Sequence, residues 1–382
     1  MRILHTSDLH IGKRLMGKDR LAEQAEVLAE IAEICERENV ELVLVAGDIF
    51  DTYTPSAEAE ALFYSAVKRI AGTARAVLLI SGNHDDGVRL HAVAPFSHEQ
   101  GVYIVGNARE PFSTNSTRAV RPLRSGKGYA VFENATGERV YVGALPYPNE
   151  ARFKEEKSEL SHTLRMQGWL EECMQENTDG LPAVLVAHLF VLGGKISQSE
   201  REIDLGGARA VPIECMPACE YIALGHLHKK QHMGKGHCYY SGSPLQYSFD
   251  ESADKSVKVF DLDKTGVQNL VDIPLTSGKK LVRLQADSPQ NANLLLKNYP
   301  NALVEMTLLL SAPLTHADAV ALAENENLVS LITNVETSQE QSFETRKGLT
   351  DCELFEAFYK ANFNQSPNED LKTLFLTTLN EL

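Results

Sequence analysis

Over roughly residues 1 to 110 of this chain, short and wholly apolar runs alternate with longer amphipathic stretches. The runs Ile3-Leu4, Leu42 to Ala46 and Val77 to Ile80 hold no polar position, as strands covered on both faces require. Between the first two, Leu21, Ala25, Leu28, Ala32 and Cys35 recur at spacings of three and four, which predicts a helix from Leu21 to Asn39 with one buried face. A second helix is expected near Ser56 to Ala71. Buried strands joined by amphipathic helices imply a parallel sheet. Turn residues follow each run, so Asp8, Asp48 and Asn83 fall in loops beyond the carboxyl ends of the strands, where open α/β sheets assemble their sites.

A second group of strands is expected at Tyr129 to Phe132 and Val140 to Leu145, then a helical stretch from Glu155 to Asn177, then Ala183 to Ala187, which delivers His188. Tyr221 to Leu224, Tyr239-Tyr240, Val257 to Leu262 and Val267 to Ile273 follow, several alternating as hairpin strands do. The economical fold is α/β, with two sheets packed face to face and helices outside, closing near residue 275. The turn Thr276-Ser277-Gly278 opens a smaller α+β module, with strands at Lys280 to Ala286, Ala302 to Leu310 and Val329 to Val335, and helices at Pro289 to Asn298 and Thr315 to Asn325. After a polar stretch from Thr337 to Lys347, Leu354, Phe355, Phe358 and Tyr359 share one helical face and Leu371, Leu374, Phe375 and Leu379 another, too apolar for free tails. The expected division is therefore 1–275, 276–340 and a helical segment 341–382.

Composition narrows this picture. A chain of 382 residues exceeds what one core usually holds, and 43% apolar with 23% charged residues is ordinary for a globular protein. A net charge of -15 argues against holding nucleic acid by bulk attraction, leaving local basic groups: Lys13, Arg14, Lys18 and Arg20; Lys229, Lys230 and Lys235; and Arg109 to Lys127 through Arg118, Arg121 and Arg124. No apolar stretch approaches the roughly 18 to 20 residues that span a bilayer, and functional residues begin too early for a cleavable signal, so a cytoplasmic protein is expected. The six scattered cysteines fit reduced thiols better than a disulfide framework. A zinc site of Cys215, Cys219 and Cys238 lacks the paired spacing such sites use.

The chemistry sits in five short motifs at expected strand ends: Asp8-Leu9-His10, Gly47-Asp48, Gly82-Asn83-His84-Asp85, His188 and Gly225-His226-Leu227-His228. Carboxylate, imidazole and amide together make mixed nitrogen and oxygen ligation, suited to manganese, iron or zinc. There are donors enough for two divalent cations, and two cations about 3.5 to 4 Å apart are a standard device for in-line attack on phosphorus. Asp48 is the natural bridge, since one carboxylate can bind two cations. In Asp8-Leu9-His10 and His226-Leu227-His228 the one-residue gap sets both side chains on one side if the backbone is extended. His84, beside Asn83, is placed to protonate a leaving alkoxide as general acid. The motifs are weak singly and strong in combination. The remaining histidines, such as His5, His91 and His232, read as core or surface residues.

Taken together, Ile3-Leu4-His5-Thr6-Ser7-Asp8-Leu9-His10-Ile11-Gly12, Val45-Ala46-Gly47-Asp48-Ile49-Phe50-Asp51, Ser81-Gly82-Asn83-His84-Asp85, Ala187-His188 and Ala223-Leu224-Gly225-His226-Leu227-His228, with Tyr240-Ser241-Gly242-Ser243-Pro244 after them, resemble the calcineurin-like metallophosphoesterase superfamily. Within it they are most similar to the nuclease subunits of bacterial SbcCD-type complexes. The resemblance implies a two-sheet metallophosphoesterase sandwich with one metal held by Asp8, His10, Asp48 and His228 and the other by Asp48, Asn83, His188 and His226, while His84 and Asp48 serve catalysis. It implies manganese first, with magnesium, iron or zinc as alternatives. It also implies 3'-to-5' cleavage of duplex DNA ends, endonuclease action on hairpins or blocked ends, an SbcC-type ATPase partner with a coiled coil, and a homodimer through surfaces such as Ser56 to Ala71 and Val88 to His98. The module after 275 would cap DNA and the C-terminal faces would grip the ATPase, although no sharp motif matches there. The competing reading is a superfamily hydrolase for small phosphodiesters or phosphomonoesters. Gly47 to Pro55 lacks the Asp-Arg-Gly of the protein phosphatases, and a small-substrate enzyme would not need the C-terminal third.

Overall fold

The computed structural model describes residues 1–107, 111, 114–148, 161–200, 210–335, 350–363 and 365–380. By compactness they form two units, Met1–Leu308 with His316–Ile332, and Leu309–Thr315 with Thr333–Leu382. In this division the elements between 280 and 308 group with the first unit.

In the first unit, β1 (Arg2–Thr6), β2 (Leu42–Ala46), β3 (Ala76–Ile80) and β4 (Val102–Val105) run parallel in that order. Helices α1 (Leu21–Arg37) and α2 (Ala57–Ala71) connect them, with short pieces α3 (Gly87–His91) and α4 (Ala94–Ser97) before β4. The second sheet is built of β5 (Arg121–Gly126), β6 (Tyr129–Glu133), β7 (Arg139–Leu145), β8 (Ala183–His188), β9 (Tyr221–Gly225), β10 (Gln231–His232) and β11 (Cys238–Tyr240), in the order β10-β11-β9-β8-β7-β6-β5. Helix α5 (His162–Glu172) precedes β8. The chain then returns to the first sheet, where β12 (Ser256–Asp263) pairs antiparallel with β1, Leu4 opposite Val259, and β13 (Gly266–Pro274) forms the edge.

Period-two alternation decides what each strand packs against. In β2, Val43 and Val45 face a core with Val27, Ile31 and Cys35 of α1 and Phe63, Val67 and Ile70 of α2. Leu42, Leu44 and Ala46 face the other way and meet Phe132, Val140, Val142, Val184, Val186 and Ala223 of the second sheet. The far side of the second sheet is covered by Met166, Trp169 and Leu170 of α5. Ser56 caps α2 by accepting a hydrogen bond from the Ala59 N–H at 3.3 Å, and Gly72 ends it at φ 51°. The two-sheet sandwich with outer helices is thus present, and its buried parallel strands all end at one edge.

A three-stranded sheet follows, β14 (Lys280–Ala286), β15 (Ala302–Leu310) and β16 (Leu328–Val335), with α6 (Pro289–Lys297) and α7 (His316–Ala323). In the second unit, α8 (Asp351–Phe363) and α9 (Glu369–Asn380) pack on each other through Phe355 and Phe375, whose rings stack at 4.2 Å. Phe358 and Leu374 of the same helices stay exposed. Among the described residues no helix is long and apolar enough to cross a membrane. The expected helix from Glu155 is seen from His162, and residues 151–160, like the stretch Thr337 to Lys347, lie outside the described residues.

Candidate metal centre

The loops after β1, β2, β3, β8 and β9 converge at the carboxyl edge of the sandwich. Asp8 N donates to the Gly47 carbonyl at 3.0 Å and His10 N to the Asp48 carbonyl at 2.9 Å, so the first two loops run side by side. Asp8, His10, Asp48 and His226 all sit at positive φ, 55°, 43°, 51° and 114°. The extended backbone expected for Asp8-Leu9-His10 is therefore replaced by left-handed turns at both donors, which is what brings the two side chains together. Holding non-glycine residues there costs of order 1 to 3 kcal/mol each, and the surrounding bonds must impose it. The Asp85 carboxylate is one such imposer: it accepts hydrogen bonds from Ile49 N, Phe50 N and Gly82 N at 3.1, 2.9 and 2.8 Å, tying the Asp48 loop to the Asn83 loop. Gly82 and Gly225 permit the close approach. A Cβ on Gly82 would lie 2.1 Å from Asp48 Oδ1, and one on Gly225 1.8 Å from the Ala46 carbonyl oxygen.

All eight expected site residues are buried and meet here. Donor atoms of Asp8, His10 and His228 lie within 4.8 Å of one another, as do those of His10, Asp48 and His84, and of Asp8, Asp48 and His188. Asp48 Oδ2 stands 3.5 Å from both His10 Nε2 and His188 Nε2, between the two halves of the cluster. Asn83 Oδ1 is 2.8 Å from His188 Nε2 and 3.0 Å from His226 Nδ1. His188 donates its Nδ1–H to the Ala46 carbonyl at 2.8 Å, which leaves Nε2 as the nitrogen turned to Asp48 and Asn83. His84 places Nδ1 on the Asp51 carbonyl at 2.8 Å, and its backbone N–H donates to Asp48 Oδ1 at 2.9 Å.

Whether this set fits metal ions is tested by what its nitrogens lack. His10 Nε2 and His228 Nε2 face each other at 3.0 Å, while the Nδ1 atoms of the two rings lie 3.3 Å from carboxylate oxygens of Asp51 and Glu251. His226 Nε2 is buried with no hydrogen-bond partner among the described residues. Imidazole nitrogens that converge on one another and on the Asp48 carboxylate, with His188 Nε2 and His226 Nδ1 both turned to Asn83 Oδ1, are the arrangement a divalent cation relieves. Burial pushes His10 and His226 down to about 3, so both are neutral, the form that binds metal. Burial opposes ionisation of Asp48, yet the imidazoles of His188, His84 and His10 hold its carboxyl well below the usual range. Burial raises Asp8 to about 6 against the pull of His188 and His228.

Several supporting residues go beyond the expected set: Asp51, which pairs with Lys13 at 2.8 Å, and Ser199, Glu200, Glu251 and Lys255 around His228. Asp51 and Asp85 lie inside conspicuous motifs, so a signal for them exists; Ser199 and Glu251 carry none. The basic groups are largely spent internally. Lys13 pairs with Asp51, Arg14 with Asp19, buried Arg20 with Glu23, Lys229 with Asp250, Lys230 with Asp272 and Arg124 with Asp179, while Lys18 donates to the Glu326 carbonyl. All six cysteines are free, and among the described residues no metal-sized cluster includes one. His5 is a core residue, bonded to the Tyr221 hydroxyl and the Leu224 carbonyl.

Residues 1–230 match the family model for calcineurin-like phosphoesterases. The chain is 37% identical over 300 residues to SbcD, the D component of nuclease SbcCD, from Bacillus subtilis, covering 75% of this chain and 72% of the relative. This chain belongs to the SbcD family of calcineurin-like phosphoesterases. A second SbcD, from Rhodobacter capsulatus, is 38% identical over 304 residues, with 75% and 72% covered. A third, from Staphylococcus epidermidis, is 29% identical over 296 residues, with 75% and 73% covered. As an SbcD family member the chain is a phosphodiesterase of the nuclease kind, with Asp and His groups at its sheet edge that could bind divalent metal.

Proposed function

We propose that this chain is the nuclease subunit of an SbcCD-type complex, cutting DNA as a manganese-dependent 3'-to-5' exonuclease on duplex ends and an endonuclease on hairpins or blocked ends, in repair, recombination and replication. The observation that carries this reading is Asp48 Oδ2 equidistant, at 3.5 Å, from His10 and His188 at the centre of a buried donor set, in a chain whose relatives are named nucleases. One cation would be held by Asp8, His10, Asp48 and His228, the other by Asp48, Asn83, His188 and His226. When bound, they supply positive charge at the phosphate oxygens and a water of lowered pKa. The chain's residues do the rest. Asp48 keeps the two cation positions adjacent, and the imidazoles orient them through fixed tautomers. His84, donating Nδ1–H to the Asp51 carbonyl, would present Nε2 to the leaving oxygen and, as the imidazolium, give it the Nε2 proton, becoming neutral.

In the same reading, 276–340 is the DNA-capping region, and the helices of 341–382 bind the coiled coil of an SbcC-type ATPase that makes cleavage of duplex ends depend on ATP. Two copies pair through the α2 and α4 surface, where Tyr64 and Phe96 are exposed beside a groove of about 300 Å³ lined by Phe63, Val67 and Val93. The complex would work in the cytoplasm, at the nucleoid when on DNA. The test is to assay purified protein with manganese on hairpin DNA and on a small chromogenic phosphodiester. Hairpin cleavage supports the proposal; hydrolysis of the small ester alone would replace it with a small-molecule phosphodiesterase.

A further inference from the structure

Behind His228, on the side away from the other donors, lies a chain of buried polar groups with an unambiguous direction. Ser199 Oγ is 2.6 Å from His228 Nδ1 and 2.5 Å from Glu251 Oε1. A carboxylate only accepts, so the single hydroxyl proton goes to Glu251, and His228 must donate its Nδ1–H to Ser199. That fixes the tautomer and leaves the Nε2 lone pair aimed at His10 Nε2, 3.0 Å away. Glu251 Oε1 also reaches His228 Nδ1 directly at 3.3 Å. The side chain of Glu251 has no solvent exposure, and its other oxygen is met by Lys255 Nζ at 2.5 Å. Lys255 in turn donates to the His228 carbonyl at 3.1 Å and Ser243 Oγ at 2.8 Å. The backbone of His228 is gripped as well, its N–H donating to Glu200 Oε1 at 2.9 Å.

Burying two opposite charges is costly, and such a pair is weak evidence for stability, because an apolar pair of similar volume often serves as well. This one is aimed at a ring nitrogen. A carboxylate behind an imidazole raises the basicity of the opposite nitrogen and locks the ring, the arrangement that in metal sites strengthens the ligand. Lys255 keeps Glu251 ionised without itself reaching the ring.

We infer that Glu251, acting through Ser199 and held by Lys255, is a positioning residue for His228 that sets the affinity of one of the two cation positions, the one formed with Asp8, His10 and Asp48. The inference rests on the two-cation reading above. It is tested on the full-length protein with Mn²⁺ alone as probe, following free ion by electron paramagnetic resonance. The unaltered protein binds two; one or none would overturn the two-cation reading itself. In the double variant Glu251→Gln with Lys255→Met, which removes both members of the buried ion pair together, one site should weaken by roughly 10-fold to 100-fold while the other holds. Ser199→Ala leaves the charge pair intact and tests the relay separately; it should weaken the same site by less, since the direct 3.3 Å contact remains. Unchanged binding in both variants would overturn the inference. So would equal weakening of both sites with a lowered melting temperature of the metal-free protein, the mark of a merely structural pair.

Discussion

His84 joins His10 and Asp48 in one donor cluster, yet its Nδ1 is engaged by the Asp51 carbonyl at 2.8 Å. A ligand and a general acid differ in what their loss removes. His84→Ala should keep two manganese ions per chain while cleavage falls by roughly 10²-fold to 10⁴-fold. Metal content by mass spectrometry decides it, and a loss of metal would make His84 a ligand. His5 makes a different prediction. Burial, helped by Lys258, lowers it from 6.5 to about 3, so between those values the unfolded chain takes up a proton that the native state refuses. Stability of the metal-free protein should fall as pH drops through that window, with His5 contributing up to about 1.4 kcal/mol per pH unit. Burial of His10 and His226 acts in the same direction. Urea unfolding at pH 7 and 5.5 should show a shallower pH dependence in His5→Gln than in the unaltered protein; equal slopes would refute the assignment.

At the scale of elements, patterning is legible wherever a strand is buried on both faces. Leu42 to Ala46 can be read with its bounds intact, because nothing polar interrupts it. The strand Arg121–Gly126 escapes such a reading since Arg, Pro, Ser and Gly hide it and only Pro122 is buried, while Val102–Val105 is four residues long after short helical pieces. The same limit applies to the site. Donors announce themselves by type and order, whereas the left-handed turns at Asp8 and His10, and the partners of the Lys and Arg clusters, depend on neighbours far along the chain. Gly225 shows how tight that tertiary fit is. Its Cα faces the Ala46 carbonyl across the two sheets, so Gly225→Ala must push β9 from β2. A destabilisation of about 1 to 3 kcal/mol or more is expected in urea unfolding; a neutral result would mean the sheets yield easily there.

For the whole molecule, the proposed division of labour between sandwich and C-terminal helices has a direct test. Truncation before Thr350 should abolish co-purification with the ATPase yet leave basal manganese-dependent cleavage, and continued co-purification would remove the docking role from α8 and α9. Phe96, 79% exposed, is the test of self-pairing: Phe96→Glu should halve the mass found by sedimentation if two copies meet at α4. Chain order also governs when the enzyme can act at all. Strand β1, which launches Asp8 and His10, lies between β2 and β12, and its partner residues Lys258 to Asp261 are made some 250 positions later. The imidazoles of His226 and His228 arrive only shortly before them. A ribosome-bound chain therefore carries Asp8, His10 and Asp48 long before His226 and His228 can join them, and in the proposed reading no phosphodiester can be cut until nearly the whole sandwich has left the ribosome.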